Sequence, residues 1–193
     1  MPDDTRLSRP GAAMLLTLPN AITFARLCAV PTTVWLVLRH DLHAAFAMFV
    51  AAGLSDAVDG WLARNRGGGN AIGAVLDPVA DKALLVSLYI TLASIGVLPD
   101  FLAILVVFRD AVIVGGVLVL AVLGHSVRIR PFPVSKLNTV MQIVLVAVAL
   151  LLDGFMLRAP VLFNFLVWAV AGTTLASGAA YVWWAARRPV VEA

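Results

Sequence analysis

The sequence predicts an all-α fold, that of a polytopic membrane protein built as a six-transmembrane-helix bundle. Two observations carry this prediction, the amino-acid composition and the pattern of apolar runs. Of the 193 residues, 62% are apolar and only 13% are charged, whereas a soluble domain is about 45–50% apolar and about 25% charged. The apolar residues form continuous runs, without the dyad alternation of a membrane barrel. At about 20 residues for each bilayer crossing, they suffice for six helices.

Six apolar runs, separated by turn or charge signals, define the predicted helices. The glycines at 67–69 and the dipeptide Pro99-Asp100 are typical breaks. The predicted spans are 19–38, 43–63, 72–97, 101–123, 135–153 and 160–184. We therefore expect a cytoplasmic tail or surface helix at 1–18, a membrane domain at 19–187 and a C-terminal tail at 188–193.

The basic residues outside these spans predict the orientation, because Lys and Arg are enriched in cytoplasmic loops. With a cytoplasmic N-terminus, only Arg39 and Arg158 lie on the outer side. The inner side then holds nine basic residues: Arg6, Arg9, Arg64, Arg66, Arg128, Arg130, Lys136, Arg187 and Arg188. We expect an integral, multi-pass protein of the inner (plasma) membrane. Nucleic acid is not an expected partner, since a net charge of +3 is weak and dispersed.

Four aspartates lie within the second and third apolar runs, where each would cost about 2.5–3.5 kcal/mol if unpaired near the middle of a membrane. Asp56 and Asp59 are three residues apart, and Asp77 and Asp81 are four apart, so each pair shares one helix face. The short Gly-rich connection favours a directly packed antiparallel helix pair. Two divalent cations would compensate the four charges, and oxygen ligands without His or Cys suit Mg²⁺ or Mn²⁺.

Such a two-metal centre beside a basic, Gly-rich loop is typical of phosphoryl chemistry. Gly60 and Gly73 leave room for a nucleotide to approach the backbone. Arg64 offers a planar fork of donors to phosphate oxygens. The site is therefore expected to face the cytoplasm and to act on a phosphorylated substrate.

Residues 56–81 resemble the signature of the CDP-alcohol phosphotransferase family. They fit the pattern D-x2-D-G-x2-A-R-x8-G-x3-D-x3-D at every defined position, and the resemblance extends across all six predicted spans. It implies a six-helix homodimer with two divalent metals. It also implies transfer of a substituted phosphate from a CDP-alcohol to an acceptor hydroxyl, with release of CMP.

The resemblance carries the family's site residues over by position. Asp81 is expected to bind the second metal and to act as the general base. The expected metal ligands are Asp56, Asp59, Asp77 and Asp81. The expected CDP-binding residues are Asp56, Gly60, Ala63, Arg64 and Gly73.

The opening of the first span, from Pro19 to Arg26, resembles P-N-x-x-T-x-x-R in the glycerophospholipid branches of the family. By this resemblance Asn20 and Thr23 are expected at the CDP site. Arg26 is expected to contact a lipid phosphate, with snorkelling to the membrane interface as the alternative.

The acceptor is predicted from residues 135–142. Bacterial phosphatidylglycerophosphate synthases tend to have G-K-x-K-T-x-x-Q where this chain has S-K-L-N-T-V-M-Q, and Arg-Glu where it has Arg109-Asp110. The combination resembles the cardiolipin synthases of the family. Asn138 in place of a lysine also suits phosphatidylglycerol, a diester with one negative charge, better than glycerol 3-phosphate with nearly two.

We therefore expect CDP-diacylglycerol and phosphatidylglycerol as substrates, with Arg109, Lys136 and Asn138 at the acceptor phosphate. Glycerol 3-phosphate, inositol phosphate and serine stay open as acceptors. Lys82 is interpreted as a structural counter-charge rather than a catalyst, and Asp110 either balances Arg109 or binds a ligand. The alternatives outside the family are a small cation transporter and a membrane prenyltransferase.

Overall fold

The computed structural model describes residues 18–66, 71–122 and 133–187, with side chains at 28–55, 82–116 and 133–183. The regular secondary structure of this part of the chain is entirely α-helical, with no strand. Its helices are α1 Leu18–Leu38, α2 Leu42–Arg66, α3 Ala71–Ser94, α4 Asp100–Val122, α5 Pro133–Gly154 and α6 Pro160–Arg187. The all-α prediction is confirmed. Apart from Leu18, the predicted tails lie outside the described residues.

Helices α1 and α5 end in the same way, each with a residue in the left-handed conformation. The φ angles are 59° at His40 and 52° at Met156. The amide that follows His40, that of Asp41, donates to the carbonyl of Leu36 at 3.0 Å. This bond satisfies a carbonyl group that the last turn of α1 leaves free.

Helix α3 ends three residues earlier than the predicted third span. Gly96 has a φ of 78°, and the amide of Val97 donates to the carbonyl of Leu92 at 2.9 Å, which closes the helix after Ser94. Pro99 then follows and cannot continue a helix. The apolar residues 95–97 belong to the turn, so hydropathy alone overestimated the length of this helix.

The three short turns, at 39–41, 95–99 and 155–159, lie at one end of the bundle. The ring of Phe155 packs edge-on against the rings of His43, at 5.1 Å, and Phe46, at 6.3 Å. Gly96 from the second turn and Arg158 from the third line one cavity of about 560 Å³. We call this the turn end, and the opposite end, towards which residues 56–66 and 71–81 extend, the motif end.

Helix α1 packs against both α2 and α3, and α5 packs against α2, α3 and α6. No direct α2–α3 pairing occurs among the helix contacts of the described residues. The predicted packing of α2 directly on α3 is therefore not found in that part of the chain. Residues 27–38 of α1 carry no charge, so this helix can bury one side against each neighbour.

The core contains large apolar side chains from several helices, including the fully buried Leu88, Leu102 and Leu145. Outside it, large apolar residues such as Ile104 and Trp168 are about two-thirds exposed, as is typical of a surface that meets lipid or another apolar partner. Where side chains are described, two helices, Pro133–Gly154 and Pro160–Trp183, are long and apolar enough to cross a membrane. These features support membrane association.

Gly154, the last residue of α5, lies very close to the backbone of α2 at the turn end. A β-carbon at this position would lie 3.0 Å from the carbonyl carbon of Leu42 and 3.1 Å from the amide nitrogen of His43. We expect Gly154→Ala to destabilise the protein by about 1–3 kcal/mol, because backbone atoms cannot move aside as a flexible side chain can. The measurement is thermal unfolding in detergent, followed by tryptophan fluorescence.

Gly53→Ala is the matched control for Gly154→Ala. Gly53 lies within α2, and among the described residues no atom is within 4 Å of a β-carbon added there. Alanine is the better helix former, by up to about 1 kcal/mol, so this variant is expected to unfold at the same or a higher temperature. Equal behaviour of the two variants would contradict the close contact at Gly154.

Candidate active site

The four motif aspartates lie on α2 and α3 at matching depths. The backbone is helical at all four positions. At about 1.5 Å per residue, Asp56 and Asp81 are about 20 Å from the turn end along their helices, and Asp59 and Asp77 are about 26 Å from it. The two pairs are therefore level with each other near the motif end, although α2 and α3 both pack on α1.

The other motif residues share this end of the bundle. Helix α1 begins at the motif end with Asn20, Thr23 and Arg26, and α3 carries Gly73 in its first turn. The second half of α2 carries Gly60, Ala63 and Arg64. The side chains at these positions, like those of the four motif aspartates, lie outside the described residues. Where side chains are described, no group of three or more His, Cys, Asp or Glu could hold a metal ion.

A network of charged side chains, largely buried, begins at Lys82, the first residue after the motif. Lys82, which follows Asp81, donates from Nζ to Oδ2 of Asp110 at 2.6 Å. Arg109 donates from Nη1 to Oδ1 of the same carboxylate at 2.6 Å. Arg109 and Asp110 are only 5% and 7% exposed. Lys82 is thus paired with a carboxylate, as its interpretation as a counter-charge requires, and Asp110 balances both bases.

Arg109 also joins α4 to α5 and α6. Its Nη2 donates to Oγ of Ser135 at 2.7 Å and to Oγ of Ser177. Only Nε lacks a partner among the described residues. Both terminal nitrogens of the buried guanidinium are held by protein groups, and the acceptor contact of Arg109 stays a prediction.

The other residues predicted at the acceptor phosphate differ in exposure. Lys136 is exposed in the first turns of α5. Asn138 is fully buried, and its Oδ1 accepts hydrogen bonds from Thr173 at 2.9 Å and from Thr174 at 2.8 Å. Its Nδ2 has no partner among the described residues. Asn138 therefore links α5 to α6 and retains one donor group for a further contact.

Two buried polar residues deeper in the bundle were missed by the sequence predictions. The hydroxyl of Tyr89 donates to the backbone carbonyl of Gln142 at 3.3 Å. The side chain of Gln142 is fully buried, and neither its Oε1 nor its Nε2 has a partner in the described part of the chain. Ser135, Asn138 and Gln142 recur every three or four residues on α5, which is the signal that could have identified this polar stripe.

The fold and the motif define a helical, membrane-associated protein with four aspartate positions near one end of its bundle. Residues 16–184 match the sequence profile of the CDP-alcohol phosphatidyltransferase family. The match covers most of the chain, and the chain belongs to this family.

Three relatives illustrate the similarity. The chain is 34% identical over 189 residues to CDP-diacylglycerol–glycerol-3-phosphate 3-phosphatidyltransferase 1, chloroplastic, of Oryza sativa subsp. japonica, covering 89% of this chain and 57% of that protein. It is 32% identical over 181 residues to cardiolipin synthase (CMP-forming) of Rattus norvegicus, covering 86% and 60%. It is 31% identical over 192 residues to cardiolipin synthase (CMP-forming) of Streptomyces coelicolor, covering 92% and 83%. The chain thus spans about three fifths of the rice and rat proteins.

The two buried amides of α5 are expected to respond oppositely to replacement by leucine. Gln142→Leu removes polar atoms that have no partner among the described residues, so stability should be unchanged or higher by up to about 1 kcal/mol. Asn138→Leu deprives the buried hydroxyl of Thr174 of its acceptor and should cost about 1–3 kcal/mol, whereas Thr173 keeps backbone carbonyl acceptors in its own helix. Thermal unfolding of both variants in one detergent measures the difference. A loss of more than about 1 kcal/mol in Gln142→Leu would mean that its amide is hydrogen-bonded in the protein.

Proposed function

We propose that this protein is a membrane phosphatidyltransferase that makes cardiolipin from CDP-diacylglycerol and phosphatidylglycerol and releases CMP. The observation that carries the proposal is the complete eight-residue motif of residues 56–81, placed on α2 and α3 at matching depths inside the family match. A cation transporter or a prenyltransferase would not need Gly60, Ala63, Arg64 and Gly73 at these offsets.

In this proposal all six helices cross the inner (plasma) membrane, with the motif end towards the cytoplasm. The helices contain 21 to 28 residues, which at about 1.5 Å per residue is enough for a hydrocarbon layer of about 30 Å. The ion pairs among Lys82, Arg109 and Asp110 explain how these charged residues can lie inside such a bundle, since charged residues within membranes are paired or functional. A homodimer, as the resemblance implies, completes the assembly.

The residues present fit two divalent cations, Mg²⁺ or Mn²⁺. The four motif carboxylates form an all-oxygen donor set that these hard ions prefer, and the two pairs are level on two helices that both pack on α1. Asp56, Asp59, Asp77 and Asp81 would hold the ions. Bound there, the ions supply positive charge that polarises the diphosphate and offsets the charge of the leaving group.

The chain's own residues would carry out the rest of the reaction. Asp81 accepts the proton of the free glycerol hydroxyl of phosphatidylglycerol. The hydroxyl oxygen forms a bond to the lipid-side phosphorus, and the bond between that phosphorus and the bridging oxygen of CMP breaks. Arg64 binds phosphate oxygens of the departing CMP. Asn20 and Thr23 of α1 and Gly60, Ala63 and Gly73 of α2 and α3 line the nucleotide site.

Lys136 and Asn138 support phosphatidylglycerol as the acceptor. A single exposed lysine on this part of α5 matches the single charge of a phosphodiester, and Nδ2 of Asn138 is a neutral donor. Arg26 of α1 is the other proposed phosphate contact. The second candidate function is phosphatidylglycerophosphate synthesis from glycerol 3-phosphate, which the name of the rice relative favours.

The purified protein, given CDP-diacylglycerol and Mn²⁺, is expected to release CMP when phosphatidylglycerol is added, and mass spectrometry should identify cardiolipin. Asp81→Asn should reduce turnover at least about 100-fold, because general-base catalysis typically contributes 10²–10⁴-fold. Asp153→Asn is the matched control. Asp153 is an exposed carboxylate at the turn end, and this variant should keep wild-type turnover.

The two acceptors separate the candidate functions. Product formation with glycerol 3-phosphate and none with phosphatidylglycerol would establish the second candidate. Absence of CMP release with either acceptor would contradict both, and normal turnover in Asp81→Asn would contradict its assignment as the base.

A further inference from the structure

We infer that Lys82, Asp110 and Arg109 form a clamp that positions the Asp81-bearing turn of α3, and that Asp110 and Arg109 are positioning residues for the metal site. The inference rests on the proposed function, since it takes the motif carboxylates as metal ligands. The network of Lys82, Asp110, Arg109, Ser135 and Ser177 is called the clamp below.

The clamp connects four helices through a single carboxylate and a single guanidinium. Asp110 receives a 2.6 Å bond from Lys82 of α3 and another from Arg109, its neighbour on α4. Arg109 then donates to Ser135 of α5 and to Ser177 of α6. A displacement of α3 relative to the other three helices therefore breaks a charge-assisted bond inside the bundle.

Lys82 transmits this constraint to the motif because it directly follows Asp81 in the same helix. Consecutive residues lie about 100° apart around the helix axis at fixed spacing, so a rotation of α3 turns Asp81 and Lys82 by the same angle. Fixing Nζ of Lys82 on Asp110 therefore restricts both the rotation and the height of the turn that carries Asp81. Asp77, one turn earlier in α3, is held by the same restraint.

The burial of the clamp indicates that it acts on the protein and not on a ligand. Arg109 and Asp110 are at most 7% exposed, and both carboxylate oxygens of Asp110 are already occupied by bases. The side chain of Lys82 is 35% exposed, so a direct contact of Lys82 with substrate is the rival explanation. The two explanations differ in how the effects of two mutations combine.

The test is Mn²⁺ binding to the 193-residue protein in detergent, measured from the electron paramagnetic resonance signal of free Mn²⁺. Lys82→Met and Asp110→Asn should each raise the dissociation constant about tenfold, the lower end of the effect of losing an outer-shell partner of a metal site. The double variant should show the same rise of about tenfold, because both mutations break one link. Lys82→Arg keeps the ion pair, so its dissociation constant should stay within about twofold of the wild-type value.

Two further variants separate positioning from loss of stability. Ser177→Ala removes one hydrogen bond of Arg109 and keeps all charges, so it tests the clamp even if the ion-pair variants do not fold. Its dissociation constant for Mn²⁺ should rise about two- to threefold. Gly154→Ala lowers stability at the turn end and should leave the dissociation constant unchanged. A merely structural role would make Mn²⁺ affinity follow the unfolding temperature in all variants.

Effects that multiply in the double variant would assign Lys82 a direct contact and overturn the clamp. Unchanged Mn²⁺ affinity in Asp110→Asn, or in Ser177→Ala where Asp110→Asn does not fold, would also overturn it. A third outcome separates the two proposals. If the wild type binds Mn²⁺ and the variants show the predicted changes in affinity, but the wild type releases no CMP, the clamp is supported and the proposed function is contradicted.

Discussion

A guanidinium inside an apolar bundle needs both a counter-charge and partners for its donors, and Arg109 meets these needs by drawing four helices together. Removing one partner from a buried ion pair typically costs about 3–5 kcal/mol, because the other charge is left uncompensated. Asp110 provides the counter-charge, and Ser135 and Ser177 accept the remaining bonds. The relative placement of α3, α4, α5 and α6 in this half of the bundle follows from that requirement.

Hydroxyl groups on α6 make the arrangement possible. Thr173, Thr174 and Ser177 are small enough to let α5 approach closely and still offer polar atoms to it, a combination that is common between membrane helices. Asn138 uses two of them, and Arg109 uses the third. The interface between α5 and α6 is therefore polar towards the motif end and apolar towards the turn end, where Leu145, Ala149 and Leu150 are buried.

The helices could be predicted from the sequence because apolar runs and turn residues are local signals. Every predicted span overlaps one helix, and the error at α3 arose where apolar residues 95–97 form a turn around Gly96. Helix neighbours are a tertiary property, so the position of α1 against both α2 and α3 was not predicted.

Arg109 shows the same limit at the candidate site. Its residue type suits a phosphate and an internal carboxylate equally well, and only the folded arrangement shows that Asp110 and two serines occupy it. The place of Asn138 in a motif predicts a ligand contact, and its role between α5 and α6 depends on two threonines 35 and 36 residues away.

The short turns that close three helix pairs have a consequence for biosynthesis. Lys82, Arg109 and Asp110 all belong to the α3–α4 hairpin, and Asn138, Thr173 and Thr174 all belong to the α5–α6 hairpin. In the proposed membrane topology, these two hairpins can satisfy the polar groups just named while they enter the lipid, before their neighbours arrive, which lowers the free energy of inserting those groups. The bonds from Arg109 to Ser135 and Ser177 join the two hairpins, so they form only on docking and mark the step at which the finished bundle is assembled.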